Sequence, residues 1–120
     1  MVHRFQWARL RACALLVALG MLVVPTLARA QATRGTLLGT VTDTSGAPAP
    51  GTTVTITDVG TNIVTSSVTN EAGNYTFPNL RDGLYRVEGE LSGFKKVIRE
   101  NVKVDVNTTI RVDLRLEPGD

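Results

Sequence analysis

The run Thr108-Thr109-Ile110-Arg111-Val112-Asp113-Leu114-Arg115-Leu116 alternates apolar and charged side chains. On an extended chain Ile110, Val112, Leu114 and Leu116 fall on one side, and Arg111, Asp113 and Arg115 on the other. A period of two is the mark of a strand with one face in a core and the other in water. The same period recurs upstream. Tyr85, Val87, Gly89 and Leu91 alternate with Arg86, Glu88 and Glu90. Val102, Val104 and Val106 alternate with Lys103 and Asp105, and Val54 and Ile56 with Thr53, Thr55 and Thr57. Leu37, Gly39 and Val41 share one face of the first run. After residue 30 no stretch of ten or more residues carries a 3.6-residue apolar period, so no long helix is expected there.

Turn chemistry divides these runs. Asp43-Thr44-Ser45-Gly46 and Asn70-Glu71-Ala72-Gly73 each begin with an Asx residue and end with Gly, a type I pattern. Asp82-Gly83 is a hairpin-type signal, and Pro48-Ala49-Pro50-Gly51 cannot lie in a central strand. Between the turns lie seven expected strands: 36–42, 52–58, 63–69, 74–77, 84–91, 95–106, bent near Asn101, and 108–116. Thr and Val, with fifteen and eleven copies after residue 30, suit a pleated surface. Seven short strands cannot close a wide barrel, so the expected architecture is all-β, two packed antiparallel sheets. The expected core is Leu37, Val41, Val54, Ile56, Tyr75, Phe77, Leu80, Tyr85, Val87, Phe94, Ile110, Val112 and Leu114.

The first thirty residues have a different character. Residues 1–11 are basic, residues 12–24 form an uncharged run, Pro25 breaks it, and Ala28-Arg29-Ala30 places small residues before Gln31. These are the parts of a secretory signal peptide cut after Ala30, and an apolar run of 13 is short for a permanent spanning helix. Four of the thirteen Lys and Arg lie in this leader and none of the eleven acids. Residues 31–120 therefore carry nine bases against eleven acids, a net charge of −2, which argues against nucleic acid as a partner. They also lack His, Cys, Trp and Met. The expected organisation is a signal peptide (1–30), a short linker (31–35), one domain (36–117) and a tail (118–120), with no membrane span after cleavage.

The ordered series Gly39-Thr40-Val41-Thr42-Asp43, Ser45-Gly46-Ala47-Pro48, Pro50-Gly51-Thr52-Thr53-Val54-Thr55-Ile56 and Thr69-Asn70-Glu71-Ala72-Gly73-Asn74-Tyr75-Thr76-Phe77, followed by Gly83-Leu84-Tyr85-Arg86-Val87 and Gly93-Phe94-Lys95, resembles the carboxypeptidase regulatory-like domain. The resemblance runs over about residues 35–116. It implies a seven-stranded prealbumin-like sandwich, grouped with starch-binding-like folds. Such modules accompany metallocarboxypeptidases and also stand at the N-terminus of TonB-dependent outer-membrane receptors. A leader followed closely by Arg34-Gly35-Thr36-Leu37-Leu38-Gly39 is most similar to the receptor version. The 120 residues contain neither a plug nor a barrel.

Chemistry is scarce. A zinc peptidase site needs His ligands, and a Ser-His or Cys-His pair needs a His, which residues 31–120 do not supply. Glu88 and Glu90, two apart on one strand face beside Arg86, read as a wet surface, and the loop acids Asp43, Asp58, Glu71 and Asp82 as turn caps. No catalytic, cofactor or metal site is expected. Tyr75, Phe77, Tyr85 and Phe94 could form a sugar platform, but a small core needs most of its aromatics. Lys95, Lys96 and Lys103 read as a solvated edge that discourages aggregation. Three roles remain open. The first is a non-catalytic exported module in the periplasm or at the outer membrane, touching a receptor or other envelope protein through exposed strand edges or serving as a spacer on a receptor. The second is a carbohydrate-binding module. The weakest is a regulatory module of a separate metallocarboxypeptidase.

Overall fold

A computed structural model describes residues 34–119. The proposed signal peptide, with Ala28, Ala30 and Gln31, lies outside the described residues, as do positions 31–33 and 120. The described chain is all-β. Its elements are β1 (Gly35–Thr42), β2 (Thr53–Asp58), β3 (Val64–Val68), β4 (Asn74–Leu80), β5 (Gly83–Glu90), β6 (Val97–Val104), β7 (Thr109–Arg111) and β8 (Leu114–Arg115). One sheet has the order β4-β1-β7, with β8 also on β1; the other has the order β3-β2-β5-β6. Two sheets pack as a sandwich, as the alternation requires: β1 buries Gly35, Leu37, Gly39 and Val41 and keeps the residues between them half-exposed.

The two Asx turns share one construction. Asp43 Oδ1 accepts hydrogen bonds from the amides of Ser45 (2.8 Å) and Ala47 (3.1 Å). Asn70 Oδ1 accepts them from Ala72 (3.0 Å) and Asn74 (2.9 Å). The fourth residue of each, Gly46 and Gly73, has φ of 85° and 76°, where a side chain would be strained. Asp82 ends the β4–β5 connection and Gly83 opens β5.

The structure corrects three expectations. The run 108–116 is not one strand: Val112 and Asp113 interrupt it, leaving β7 and β8. At the break the Val112 amide donates to the Leu38 carbonyl (2.8 Å), and the Asp113 carboxylate accepts from the Thr40 amide (2.9 Å). A side chain thus replaces one rung of the ladder. Second, β7 and β8 run parallel to β1, not antiparallel. The chain leaves β6 in the other sheet and arrives at the start of β1, where the Asn107 amide reaches the Arg34 carbonyl and the Thr36 amide reaches the Thr108 carbonyl. It must then travel in the direction of β1. Third, the run 95–106 is ordered as a strand only over Val97–Val104. Its bend is a register shift opposite Tyr85–Val87, with Asn101 at φ 57°.

Leu37, Val41, Val54, Ile56, Val87 and Leu114 are sealed from solvent, and Tyr75, Phe77 and Tyr85 are buried with them. Leu80, Phe94, Ile110 and Val112 are half-buried and pack against this cluster. Val104, Leu116 and Ala49 belong to it as well.

Candidate functional site

The polar interior is built around Ala49. Thr52 and Thr69 are buried, and both hydroxyls donate to the Ala49 carbonyl, at 2.9 and 2.7 Å. The Thr69 hydroxyl also accepts from the Thr52 amide at 2.9 Å. Every polar atom of this knot is satisfied, so it holds the Pro48–Gly51 loop to the sandwich and leaves nothing to bind a ligand. Sequence patterning missed it, because a buried threonine and an exposed one look alike in an alternating run.

The tyrosines are also engaged internally. Tyr75 is 3% exposed and its hydroxyl donates to the Val112 carbonyl. Its phenol is held well above its ordinary pKa, first by burial and then by the nearby Asp113 carboxylate. Tyr85 is 4% exposed and donates to the Arg81 carbonyl at 2.8 Å. Burial, followed by Asp58, raises its pKa too. Tyr75 and Phe77 form a tilted pair with centroids 5.8 Å apart. Three of the four aromatics considered as a sugar platform therefore face the core. Phe94, half-buried, lines an open groove of about 550 Å³ with Thr53, Glu90 and Ser92.

A narrower cleft of about 150 Å³ opens between the sheets at the end carrying the β2–β3 and β4–β5 turns. Ile56, Leu80 and Tyr85 line it together with Ile63 and Thr65, and Arg34, Asp58, Asn79 and Arg81 supply its polar atoms. Asp58 is spoken for: its Oδ1 accepts from the amides of Gly60 (2.9 Å) and Thr61 (3.3 Å), closing the β2–β3 turn. Glu88 is not paired with Glu90; Arg86 and Lys96 hold it at 3.3 and 3.4 Å. Among the described residues no three His, Cys, Asp or Glu side chains converge on a common point. No helix among them is long and apolar enough to cross a membrane.

The surface is more informative than the cavities. Val59, Ile63, Val64, Val68 and Leu84 are all large, apolar and exposed. Val64 and Val68 lie on β3, Ile63 and Val59 lead into it, and the Val59 amide bonds the Leu84 carbonyl. Strand β3 is an outer strand of its sheet. Ile98 on β6 and Val106 after it are exposed as well, but the longest continuous exposed apolar run, Ile63, Val64 and Val68, follows the β3 edge, with Val59 and Leu84 at the adjoining end of the same sheet, a feature that marks contact surfaces.

Comparison with known proteins gives the setting. Over 110 residues the chain is 36% identical to the TonB-dependent transporter Oar of Myxococcus xanthus; the match covers 91% of this chain and 10% of that protein. The chain thus spans about a tenth of the length of this relative. In shape it is similar to a Bacteroides uniformis protein described as carbohydrate-binding (TM-score 0.58, 16% identity, 71% of this chain and 42% of that one). It is similar to the same degree to catechol 1,2-dioxygenase of Acinetobacter sp. ADP1 (TM-score 0.58, 13% identity, 76% and 54%). At such identities these likenesses establish the sandwich and not a shared chemistry. The carboxypeptidase regulatory-like domain profile matches residues 36–117, most of the sequence and nearly all of the described part, and the chain belongs to that family.

Proposed function

We propose that this chain is exported and serves in the bacterial envelope, periplasmic or at the outer membrane, as a non-catalytic contact module. In this reading residues 1–30 are removed, 31–35 link, 36–117 form the module and 118–120 trail it. The module is the N-terminal extension of a TonB-dependent receptor, working by protein–protein contact or as a spacer. The observation that carries the contact role is the exposed apolar edge at β3, beside a core that consumes both tyrosines. The similarity to a TonB-dependent transporter supports the compartment. Turnover is not expected, since residues 31–120 hold no His or Cys and the buried hydroxyls are committed to backbone carbonyls.

Expression of the full chain in a Gram-negative host tests this. The expected product lies in the envelope fraction and begins at Gln31 by mass. A photo-crosslinker placed at Val68 should give adducts with envelope polypeptides, and one at Thr44, in the exposed turn that follows β1 of the other sheet, should not. Recovery of the uncut chain in the cytosol, or equal labelling at both positions, would refute the reading. A second reading, carbohydrate binding, rests on Phe94 in its groove with Glu90. Calorimetric titration against glycans, with loss of binding in Phe94→Ala, would favour it.

A further inference from the structure

The two sheets leave four outer strands or strand pairs, and three of them are defended. Strand β4 carries Pro78 and a positive φ at Asn79. Strand β6 carries Arg99, Glu100 and Lys103 and a register shift. Strands β7 and β8 are three and two residues long. Charge, proline, irregularity and shortness are the usual devices that stop an open edge from pairing. Strand β3, Val64-Thr65-Ser66-Ser67-Val68, has none of them.

The phase of its free backbone groups follows from its pairing with β2. The Asp58 amide donates to the Ile63 carbonyl, and the Thr69 amide donates to the Thr52 carbonyl. Odd-numbered residues therefore turn their amides and carbonyls toward β2, and the alternation of an antiparallel ladder turns those of Val64, Ser66 and Val68 outward. Val64 and Val68 are also the exposed apolar side chains, at 60% and 61%.

This edge is complementary to itself. Laid antiparallel about a two-fold axis through Ser66, Val64 meets the second copy's Val68, Thr65 meets Ser67 and Ser66 meets Ser66. The outward phase of Val64, Ser66 and Val68 makes the two Val64–Val68 pairs and the Ser66–Ser66 pair hydrogen-bonded, with two bonds per pair, and leaves the Thr65–Ser67 pairs between them non-hydrogen-bonded. Valines oppose valines on the outer face, and hydroxyls oppose hydroxyls on the inner. No formal charge stands between Val59 and Asn70, so two copies meet without repulsion. We infer that the occupant of the β3 edge is a second copy of this chain, joined by antiparallel β3–β3 pairing into one continuous eight-stranded sheet. The inference rests on the reading of the module as a contact domain and names its partner. A five-residue ladder falls short of the roughly 1,000 Å² of a stable interface, so the dimer is weak and forms where copies are concentrated.

The test uses chain recovered from the envelope fraction, followed by sedimentation velocity over a broad range of concentration. Wild type should pass reversibly from monomer to dimer. Ser66→Pro removes the outward amide at the axis while sparing the β2 ladder, and should abolish the dimer. Ser66→Lys and Ser66→Asp each place like charges directly opposite, which disfavours pairing, and should weaken it severalfold at low salt. An equimolar mixture of the last two should restore association. The Ser66 side chain is exposed and gives up only a surface hydroxyl pair with Thr55 (3.0 Å), so unchanged circular dichroism should accompany all three variants. A wild type that stays monomeric throughout, a dimer indifferent to these substitutions, or a mixture no tighter than its components would overturn the inference. If the chain stays monomeric but a crosslinker at Val68 still captures envelope polypeptides, self-pairing fails and the contact role stands.

Discussion

Replacing Gly39 by Ala should detach the last part of the chain from the first sheet. A β-carbon built on Gly39 would sit 1.8 Å from the Val112 carbonyl oxygen and 2.7 Å from the Tyr75 hydroxyl. Ordinary contact begins near 3.4 Å, so the Val112 segment must retreat by about 1.6 Å. The obstacle is backbone and not the end of a flexible side chain, so no rotamer change relieves it. Three hydrogen bonds converge there: Val112 N–H to the Leu38 carbonyl, Thr40 N–H to Asp113, and the Tyr75 hydroxyl to the Val112 carbonyl. At about 1 kcal/mol each, their loss comes to about 3 kcal/mol. For a domain of this size, at about 4–8 °C per kcal/mol, that is a fall in Tm of about 12–24 °C. Thermal and urea denaturation measure the loss, and amide exchange at Val112 locates it. A Tm within about 2 °C of wild type, with the Val112 amide still protected, would refute the reasoning.

Tyr85→Ala removes a ring that is 4% exposed and should cost about 3–5 kcal/mol; an unchanged melting temperature would place the ring outside the core. Thr69→Val keeps the shape but leaves the Thr52 amide and a bond to the Ala49 carbonyl unmet, for a loss of about 1–3 kcal/mol by urea denaturation. The Tyr75 phenol keeps its proton in the folded state beyond the pH where an unfolded tyrosine loses it. Its contribution is therefore full below about pH 10 and is lost as pH rises further, and Tyr75→Phe should remove that alkaline decline in urea titrations. Asp43 is shifted the other way, lowered chiefly by the Ser45 hydroxyl, so its contribution is present above about pH 4 and lost on acidification; Asp43→Ala should flatten the acid limb of the same titration.

Local physics was legible in the residues. Alternation in 84–91 and 108–116 assigns inward faces because side chains on a strand have a period of two wherever the strand lies. The Asx-x-x-Gly turns are equally local, since a carboxylate or amide oxygen reaches amides two and four residues on without help from the rest of the fold. Gly39 could be read as relieving crowding, but not what crowds it: Val112 lies 73 positions away and arrives only when β7 and β8 dock. The parallel sense of those strands, the break at Val112–Asp113 and the Ala49 knot are likewise long-range, decided by where the chain re-enters a sheet. The character of β3 is the same kind of fact. Val-Thr-Ser-Ser-Val is a plausible strand by composition, but its exposure on both faces, and the outward turn of three of its amides, follow from its place at the end of a sheet. A strand's own residues set which side chains share a face; only its neighbours determine which backbone groups are left to bond.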